Sequence, residues 1–301
     1  MPIAENQPNS ITRDVTIVEV GPRDGLQNEP GVIPTHAKIC FVEALASAGL
    51  PIVEATSFVN PMRVPQLADA AEVMIGLRRA QGVHYPVLVP NGRGMDRAVA
   101  AGVEAIALFA AATEAFSTAN VGASIAETFE RFDPVAAEAR RRGMWVRGYV
   151  SVAFGCPYSG DVEPAAVSHV AERLMALGCD EVCLADTIGT GTPAATARVL
   201  QAVQPSVPIN RLALHFHDTS GNALANVDEA LSAGVRVFDA AAGGLGGCPF
   251  APGAPGNLAT ERLVQHLECR GLRTGVSPQG LRAAFAVLTP HLLRLRHPIS
   301  A

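Results

Sequence analysis

The feature that most constrains how this chain folds is a regular alternation of short apolar runs and longer amphipathic runs along almost its whole length. The short runs have the length and apolar content of buried strands. They occupy residues 15–20, 52–56, 85–89, 105–109, 145–150, 181–185, 212–217 and 235–240. The longer runs have helical periodicity, and they include residues 35–48, 64–80, 125–141, 164–177, 193–203 and 222–232.

Eight successive strand–helix units predict an α/β fold, a (β/α)8 TIM barrel with parallel strands inside a ring of helices. An open doubly wound sheet is the alternative. It is disfavoured because GPRDG at residues 21–25, after the first strand, is not the GxGxxG fingerprint of dinucleotide-binding folds. We expect the barrel to comprise residues 15–275. Residues 1–14 are expected to be a disordered lead-in, and residues 276–301 a C-terminal helical extension packed on the barrel.

Composition excludes several classes of protein. With 301 residues, 49% of them of hydrophobic type, the chain is long enough to bury a large core, yet no apolar run is long enough to span a bilayer. The net charge is −5, and the one run of three arginines, at residues 140–142, falls at a predicted helix end, where it suits the helix dipole. We therefore expect neither a membrane nor a nucleic acid as a partner.

The cysteines and the N-terminal segment both bear on the compartment. Six cysteines are scattered without paired spacing, and Cys40, Cys179, Cys183 and Cys269 are predicted to be buried thiols in a reducing compartment. Residues 1–14 carry no basic and apolar signal pattern. We expect a cytoplasmic protein.

Lys38 is the only lysine of the chain, and it falls on the first predicted helix. A lysine that forms a Schiff base has to lie in the active-site pocket, which in a barrel is built at strand ends. We expect Lys38 to be solvated, which disfavours imine chemistry and favours a metal ion for carbanion chemistry.

Four residues have the chemistry of a metal site. His215 and His217 lie two positions apart in a predicted strand, so their side chains point to the same face. Paired imidazoles beside a carboxylate suit a divalent cation better than a hydrophobic core. Asp24, just after the first strand, and Asn257, just after a glycine-rich loop, are placed to supply oxygen ligands, although the Asp24–Gly25 dipeptide is also typical of a simple turn.

Further polar residues fall at strand ends, where a barrel builds its active site. Glu54 ends the second strand and Asp186 the sixth. Arg23 either pairs with a neighbouring carboxylate or stabilises a carbonyl that becomes an enolate. Cys248 lies among four glycines, which favours a mobile thiol acting as a general acid or redox-sensitive group over a packed one.

Six segments together resemble the 3-hydroxy-3-methylglutaryl-CoA lyase family. They are VEVGPRDGLQN at 18–28, EATSF at 54–58, VRGYVS at 146–151, DTIGT at 186–190, HFHDT at 215–219 and GLGGCP at 244–249 followed by Gly256 and Asn257. The resemblance is collinear from about residue 15 to residue 275. The Arg-Asp and His-x-His elements are shared with a wider group of metal-dependent barrel lyases and acyl-CoA condensing enzymes, whereas the glycine loop with Cys248 is typical of the lyases.

The resemblance implies an activity and a set of roles. The expected reaction is the retro-Claisen cleavage of (S)-3-hydroxy-3-methylglutaryl-CoA, an acyl-CoA substrate, to acetyl-CoA and acetoacetate, as used in leucine degradation. Mg2+ or Mn2+ would be bound by Asp24, His215, His217 and Asn257. Arg23 would stabilise the enolate and Cys248 would protonate it, while Glu54 and Asp186 tune proton transfers or orient ligands. The implied catalytic set is Arg23, Asp24, Glu54, Asp186, His215 and Cys248. We also expect a homodimer or higher homo-oligomer.

Two departures from the pattern stand out, and three alternatives stay open. Pro30 stands where some relatives have a basic residue, and the chain ends without a terminal cysteine. A Claisen-type condensing acyltransferase of the isopropylmalate synthase kind shares two motifs but usually carries a long C-terminal extension. A lyase for a longer branched 3-hydroxyglutaryl-CoA is a further alternative, since the sequence contains no pocket evidence against it. A non-catalytic acyl-CoA- or metal-binding protein is disfavoured by the presence of Arg23, Asp24 and Cys248.

Overall fold

A closed barrel of parallel strands forms the centre of the protein. The computed structural model describes residues 13–246 and 256–293. The strands are β1 (Thr16–Glu19), β2 (Ile52–Val53), β3 (Thr56–Ser57), β4 (Val87–Leu88), β5 (Ala105–Ala111), β6 (Trp145–Ser151), β7 (Glu181–Asp186), β8 (Leu212–Phe216) and β9 (Val237–Ala240). Each lies within or close to a predicted run, because strands buried on both faces are continuous apolar segments.

The barrel closes through the segment that contains β2 and β3. The strand order runs β2-β1-β9-β8-β7-β6-β5-β4-β3, and every pairing is parallel. β2 and β3 stand at the two ends of this order, and they are the two halves of one predicted strand. The residues between them bond to a neighbour on each side, because Glu54 N donates to Glu19 O in β1 and Ala55 N donates to Pro86 O just before β4. Eight strand positions therefore close on themselves, and the predicted barrel is confirmed.

Helices follow the strands around the outside. They are α1 (Thr35–Ser47), α2 (Ala70–Gly76), α3 (Gly92–Ala100), α4 (Glu114–Val121), α5 (Ile125–Arg141), α6 (Pro164–Leu177), α7 (Pro193–Val203), α8 (Ala223–Ser232), α9 (Thr260–Cys269) and α10 (Pro278–Leu288). The predicted helix over 64–80 is much shorter in the structure, which has a 3-10 turn at Pro65–Leu67 followed by α2. None of the helices that the structure describes is long and apolar enough to cross a membrane.

The C-terminal helix α10 packs against α1 on the outside of the barrel. Ser277 N donates to Ala48 O at 2.7 Å, which joins the start of α10 to the end of α1. Gly280 allows the close approach, because a β-carbon there would lie 2.8 Å from Cβ of Ala48.

Lys38 was expected to be solvated, and that expectation is wrong. Its side chain is 3% exposed, and its ammonium group donates to Asp69 Oδ1 at 2.6 Å and to the carbonyl oxygen of Gln66. The partners lie in the segment after β3, about 30 residues along the chain, so the sequence around Lys38 does not reveal the pair. The Lys38 ammonium group thus joins α1 to Asp69, the residue that precedes α2.

Two of the four cysteines predicted to be buried are exposed. Cys179 and Cys183 are buried in or next to β7, whereas Cys40 on α1 and Cys269 at the end of α9 face solvent. Both exposed cysteines lie on the outer face of a barrel helix, where residue type alone is a weak guide to burial.

Candidate metal centre

Three chain segments bring the predicted ligands together at the C-terminal end of the barrel. His215 is on β8 and His217 follows that strand directly. Asp24 lies in the π-helical turn Gly21–Gly25 that follows β1. Asn257 is paired with His217 by an isolated antiparallel bridge. The strand period of two places both imidazoles on one side, with ring centroids 5.1 Å apart.

Asp24, His215 and His217 have the geometry of a metal-binding triad. One potential ligand atom from each lies within 4.8 Å of the others. Both histidines are buried, at 6% and 8% exposed, and the Asp24 side chain is 14% exposed. His217 Nε2 is 3.8 Å from Asp24 Oδ2, which is beyond a hydrogen bond and leaves room between them for a shared cation.

The surroundings of Asp24 keep its carboxylate ionised. Arg23 Nη1 and Gln27 Nε2 donate to Oδ1 at 2.7 and 2.8 Å, and Asn257 Nδ2 donates to Oδ2 at 2.8 Å. Burial by itself would raise the pKa of Asp24, but the Arg23 guanidinium and the two imidazoles hold it far below its usual range. An anionic carboxylate is the form that a metal ion binds.

Asn257 leaves one polar atom unused. Its amide nitrogen donates to Asp24 Oδ2 and, at 3.0 Å, to the carbonyl oxygen of Leu245. Its Oδ1 atom is buried and has no hydrogen-bond partner among the described residues. Since buried polar atoms are nearly always satisfied, this oxygen is suited to a ligand outside the polypeptide.

These donors fit a hard or borderline divalent cation. A carboxylate oxygen, an amide oxygen and two imidazole nitrogens suit Mg2+, Mn2+ and related ions better than thiolate-preferring metals. The structure therefore contains a set of residues that could hold a divalent metal ion.

Arg23 lies beside the triad, between two acids. Its Nη2 is 2.8 Å from Glu54 Oε2, and its Nη1 binds Asp24. The Nε–H group is buried without a hydrogen-bond partner in the described part of the chain. Arginine has five N–H donors, so the guanidinium keeps donors for a substrate oxygen. Burial raises the pKa of Glu54 even though Arg23 opposes the shift.

Asp186, at the end of β7, has a mainly structural set of contacts. Its two carboxylate oxygens accept hydrogen bonds from the backbone N–H groups of Thr190 and Gly191, at 3.1 and 3.0 Å. Burial raises its pKa, and the nearby imidazoles of His217 and His215 oppose the shift. Asp186 thus shapes the loop after β7 and lies within electrostatic reach of the histidines.

Cys248, the predicted proton donor, lies outside the described residues. The glycine loop is described up to Gly246, and the chain is described again from Gly256. Asn91, which follows β4, caps α3, since its Oδ1 accepts the N–H of Gly94 at 3.1 Å.

Sequence reasoning missed two acids that belong to this region. Asp239 on β9 accepts from His215 Nδ1 at 3.2 Å, and Glu19 on β1 accepts from Gly21 N, Ala242 N and Thr260 Oγ1. Burial raises the pKa of Glu19 to about 8. A signal was present for both: each is an isolated acid inside an otherwise apolar strand, where burial requires a partner.

Comparisons with known proteins agree on one family. The family described as HMGL-like matches residues 14–288 of this chain. The Bos taurus protein named hydroxymethylglutaryl-CoA lyase, mitochondrial, is 51% identical over 292 residues, which are 97% of this chain and 90% of that relative. The crystal structure of the HMG-CoA lyase from Brucella melitensis matches with a TM-score of 0.91 at 50% identity, covering 94% of this chain and 100% of that one. The structure of an HMG-CoA lyase from Acinetobacter baumannii, in complex with coenzyme A and 3-methylmalate, matches with a TM-score of 0.87 at 38% identity, covering 92% and 91%.

Proposed function

The chain belongs to the HMGL-like family, and from this membership and the geometry at the barrel mouth we propose that it is a carbon–carbon lyase that cleaves 3-hydroxy-3-methylglutaryl-CoA. The products are acetyl-CoA and acetoacetate. The observation that carries the proposal is the cluster of Asp24, His215 and His217, with their ligand atoms within 4.8 Å of one another beside Arg23.

The reaction needs a site that can take up a proton and hold a negative charge. Loss of the proton from the tertiary hydroxyl turns that carbon into the ketone of acetoacetate. The bond to the neighbouring CH2 group breaks, and its electron pair becomes the enolate of acetyl-CoA. A proton delivered to the enolate carbon completes the products.

Asp24, His215, His217 and Asn257 would hold the divalent cation, Mg2+ or Mn2+. When bound, such an ion supplies Lewis-acid polarisation of the hydroxyl and carboxylate oxygens of the substrate. Asp24 is anionic in this environment, and the free Oδ1 of Asn257 offers a neutral oxygen. Asp24 and His215 would also belong to the catalytic set, because a substrate hydroxyl polarised by the ion would lie next to them.

Arg23 would stabilise the enolate oxygen. The guanidinium is fixed by Asp24 and Glu54 on one side and stacks 5.6 Å from the Tyr149 ring centroid on another. A donor that is already oriented costs no reorganisation when charge develops in the transition state. Glu54 therefore orients Arg23, and Asp186 shapes the neighbouring loop while tuning proton transfers through its closeness to both histidines.

Cys248 would deliver the proton to the enolate. This assignment rests on the glycine-rich sequence around it and on the resemblance to the lyases. A thiol near a cation and an arginine has a lowered pKa and is a suitable proton donor at neutral pH.

Two other activities share parts of the site. A condensing acyltransferase of the isopropylmalate synthase kind would run the bond change in the opposite direction, and it is not favoured by the lyase names of relatives near 50% identity. A lyase for a longer branched 3-hydroxyglutaryl-CoA would use the same groups in a larger pocket.

The partner and compartment follow as proposals. An acyl-CoA substrate agrees with the coenzyme A held by the Acinetobacter baumannii protein. The homodimer or higher homo-oligomer rests on the resemblance and is checked by sedimentation. The cytoplasmic location is a further proposal, and fractionation of the native host checks it.

The experiment that separates the candidate activities is a turnover panel. The purified protein is supplied with Mg2+ and with 3-hydroxy-3-methylglutaryl-CoA, longer branched analogues, or acetyl-CoA plus 2-oxo acids. The proposal expects acetoacetate from the first substrate with the highest kcat/KM. A higher kcat/KM on a longer analogue, or condensation without cleavage, would replace it by one of the alternatives.

A further inference from the structure

A buried carboxylate inside the barrel contacts one histidine of the metal centre. Asp239 lies directly across from His215 in the parallel register of β8 and β9. Its Oδ2 atom is 3.2 Å from Nδ1 of His215, and its side chain has no exposed surface. The contact therefore uses the ring nitrogen that lies on the interior side of the barrel, away from solvent.

The other face of Asp239 is occupied by a second buried charge. Arg147 Nη2 donates to Oδ1 at 2.7 Å, and the Cys183 thiol donates to Oδ2 at 3.7 Å. A carboxylate that forms a buried ion pair with an arginine at this distance is held in its ionised form. An ionised carboxylate only accepts hydrogen bonds, so His215 has to donate Nδ1–H to it.

The same network continues around the barrel to the opposite side of the metal centre. Arg147 Nη1 donates to Tyr149 Oη at 2.8 Å, and Tyr149 Oη donates to Glu54 Oε2 at 3.2 Å. Glu54 in turn pairs with Arg23. The contacts thus run from one side of the site to the other, in the order His215, Asp239, Arg147, Tyr149, Glu54, Arg23, Asp24. Turning one member would leave another buried polar group unpaired, which is costly.

We propose that Asp239 is a positioning residue that fixes His215 in the tautomer with its proton on Nδ1, so that the lone pair of Nε2 is directed at the metal ion. A buried carboxylate behind a ligating histidine orients the ring and makes the other nitrogen a better ligand. The inference rests on the metal centre proposed above, but the tautomer itself is measured without any metal.

Asp239→Asn is the sharpest test, because Arg147 determines how the amide must orient. A guanidinium has no acceptor, so the amide oxygen has to face Arg147 and the NH2 group has to face His215. Nδ1 then becomes an acceptor, and the ring proton moves to Nε2, the nitrogen that should bind the ion. We expect long-range 1H–15N spectra of metal-free protein to show Nδ1–H in the wild type and Nε2–H in the variant, with His215 assigned by its absence in His215→Gln.

The affinity for Mn2+ should fall with the tautomer change. Losing a buried partner of a ligating histidine weakens metal binding by about 10- to 100-fold. Mn2+ is the probe, and the free ion is counted by electron paramagnetic resonance. Glu181→Gln is the matched control, because Glu181 pairs with Arg147 at 2.8 Å on its Nε side and does not contact His215. Its Mn2+ affinity should stay within about threefold of the wild type, which is under about 0.7 kcal/mol.

Each outcome decides the proposal. Nε2–H in the metal-free wild type overturns it even if the variant does not fold. An unchanged tautomer or unchanged Mn2+ affinity in Asp239→Asn also overturns it, as does an equal loss of affinity in Glu181→Gln. A wild-type protein that shows Nδ1–H but binds no Mn2+ would refute the metal centre and leave the tautomer assignment standing.

Discussion

Replacing Arg23 with Met tests how the site holds negative charge. The substitution keeps a long apolar side chain and removes a guanidinium that lies 2.7 Å from Asp24 Oδ1 and 2.8 Å from Glu54 Oε2. Asp24 would keep hydrogen bonds from Gln27 and Asn257, so the metal ligand remains anchored. Among the described residues, the hydrogen bond that Glu54 would keep is the one from the Tyr149 hydroxyl at 3.2 Å.

Arg23→Met should lower kcat more than it weakens the binding of substrate or metal ion. Removing one oriented donor to a developing oxyanion typically costs about 10²–10³ in kcat, or about 2.7–4 kcal/mol. Arg23 is 10% exposed, so bulk water replaces it poorly, and we expect a loss at the upper end of that range. KM and the affinity for Mn2+ should change by less than about tenfold, which is about 1.4 kcal/mol.

The same variant should show a characteristic dependence of stability on pH. The pKa of Glu54 is already raised above 4.5 by burial, and loss of Arg23 raises it further. A carboxyl group whose folded pKa is raised stabilises the fold below its unfolded pKa, and this contribution is lost as the pH rises through the folded pKa. The stability deficit of Arg23→Met relative to the wild type should therefore grow as the pH rises above 4.5.

Steady-state kinetics and urea denaturation at several pH values measure both effects. Arg78→Met is the matched control, since Arg78 is 88% exposed and pairs only with Glu43 on the surface, where such pairs contribute about 0–1 kcal/mol. A kcat for Arg23→Met within about threefold of the wild type, less than about 0.7 kcal/mol on the barrier, would refute the enolate role.

Three further substitutions test separate parts of the account. Lys38→Met should destabilise the fold by about 2–3 kcal/mol in urea denaturation, less than for a fully buried pair because Asp69 is 20% exposed; a change below about 0.5 kcal/mol would contradict the buried ion pair. Glu19→Gln should flatten the loss of stability between pH 5 and pH 8, since the pKa of Glu19 is about 8 and its stabilising contribution is lost as the carboxyl ionises; an unchanged slope would contradict that assignment. Cys248→Ser should lose most turnover and keep its affinity for Mn2+, and peptide mapping after alkylation should find Cys248 labelled before buried Cys156; loss of the metal, or labelling of Cys156 alone, would count against a proton-donor role.

The strands were predictable because parallel barrel strands are buried on both faces and stand out as apolar runs. β6, β7 and β8 lie within one residue of the predicted ends. The split between β2 and β3 was not predictable, because it arises where one short segment bonds to a neighbour on each side to close the barrel. The start of α3 is not marked in the sequence, because the helix begins Gly-Arg-Gly and glycine lowers helix propensity.

The candidate site was predictable where chain periodicity alone sets the geometry. His215 and His217 share a face because a strand has a period of two, and Asp24 follows a strand that must end at the same rim. The partners of Lys38 and His215 come from distant segments, Asp69 and Asp239, and depend on packing that local sequence does not encode. Asp239 could have been suspected as a lone acid in an apolar strand, but its pairing with His215 required the strand register.

The most direct test of the central claim is turnover of 3-hydroxy-3-methylglutaryl-CoA by metal-depleted protein titrated with Mg2+ or Mn2+, with acetoacetate and acetyl-CoA both quantified. After exhaustive chelation, cleavage should fall to the background rate. Turnover should recover fully as about one ion per chain is bound through Asp24, His215 and His217, and the two products should form in equal amounts. Full turnover in a sample verified to be free of metal would contradict the central claim.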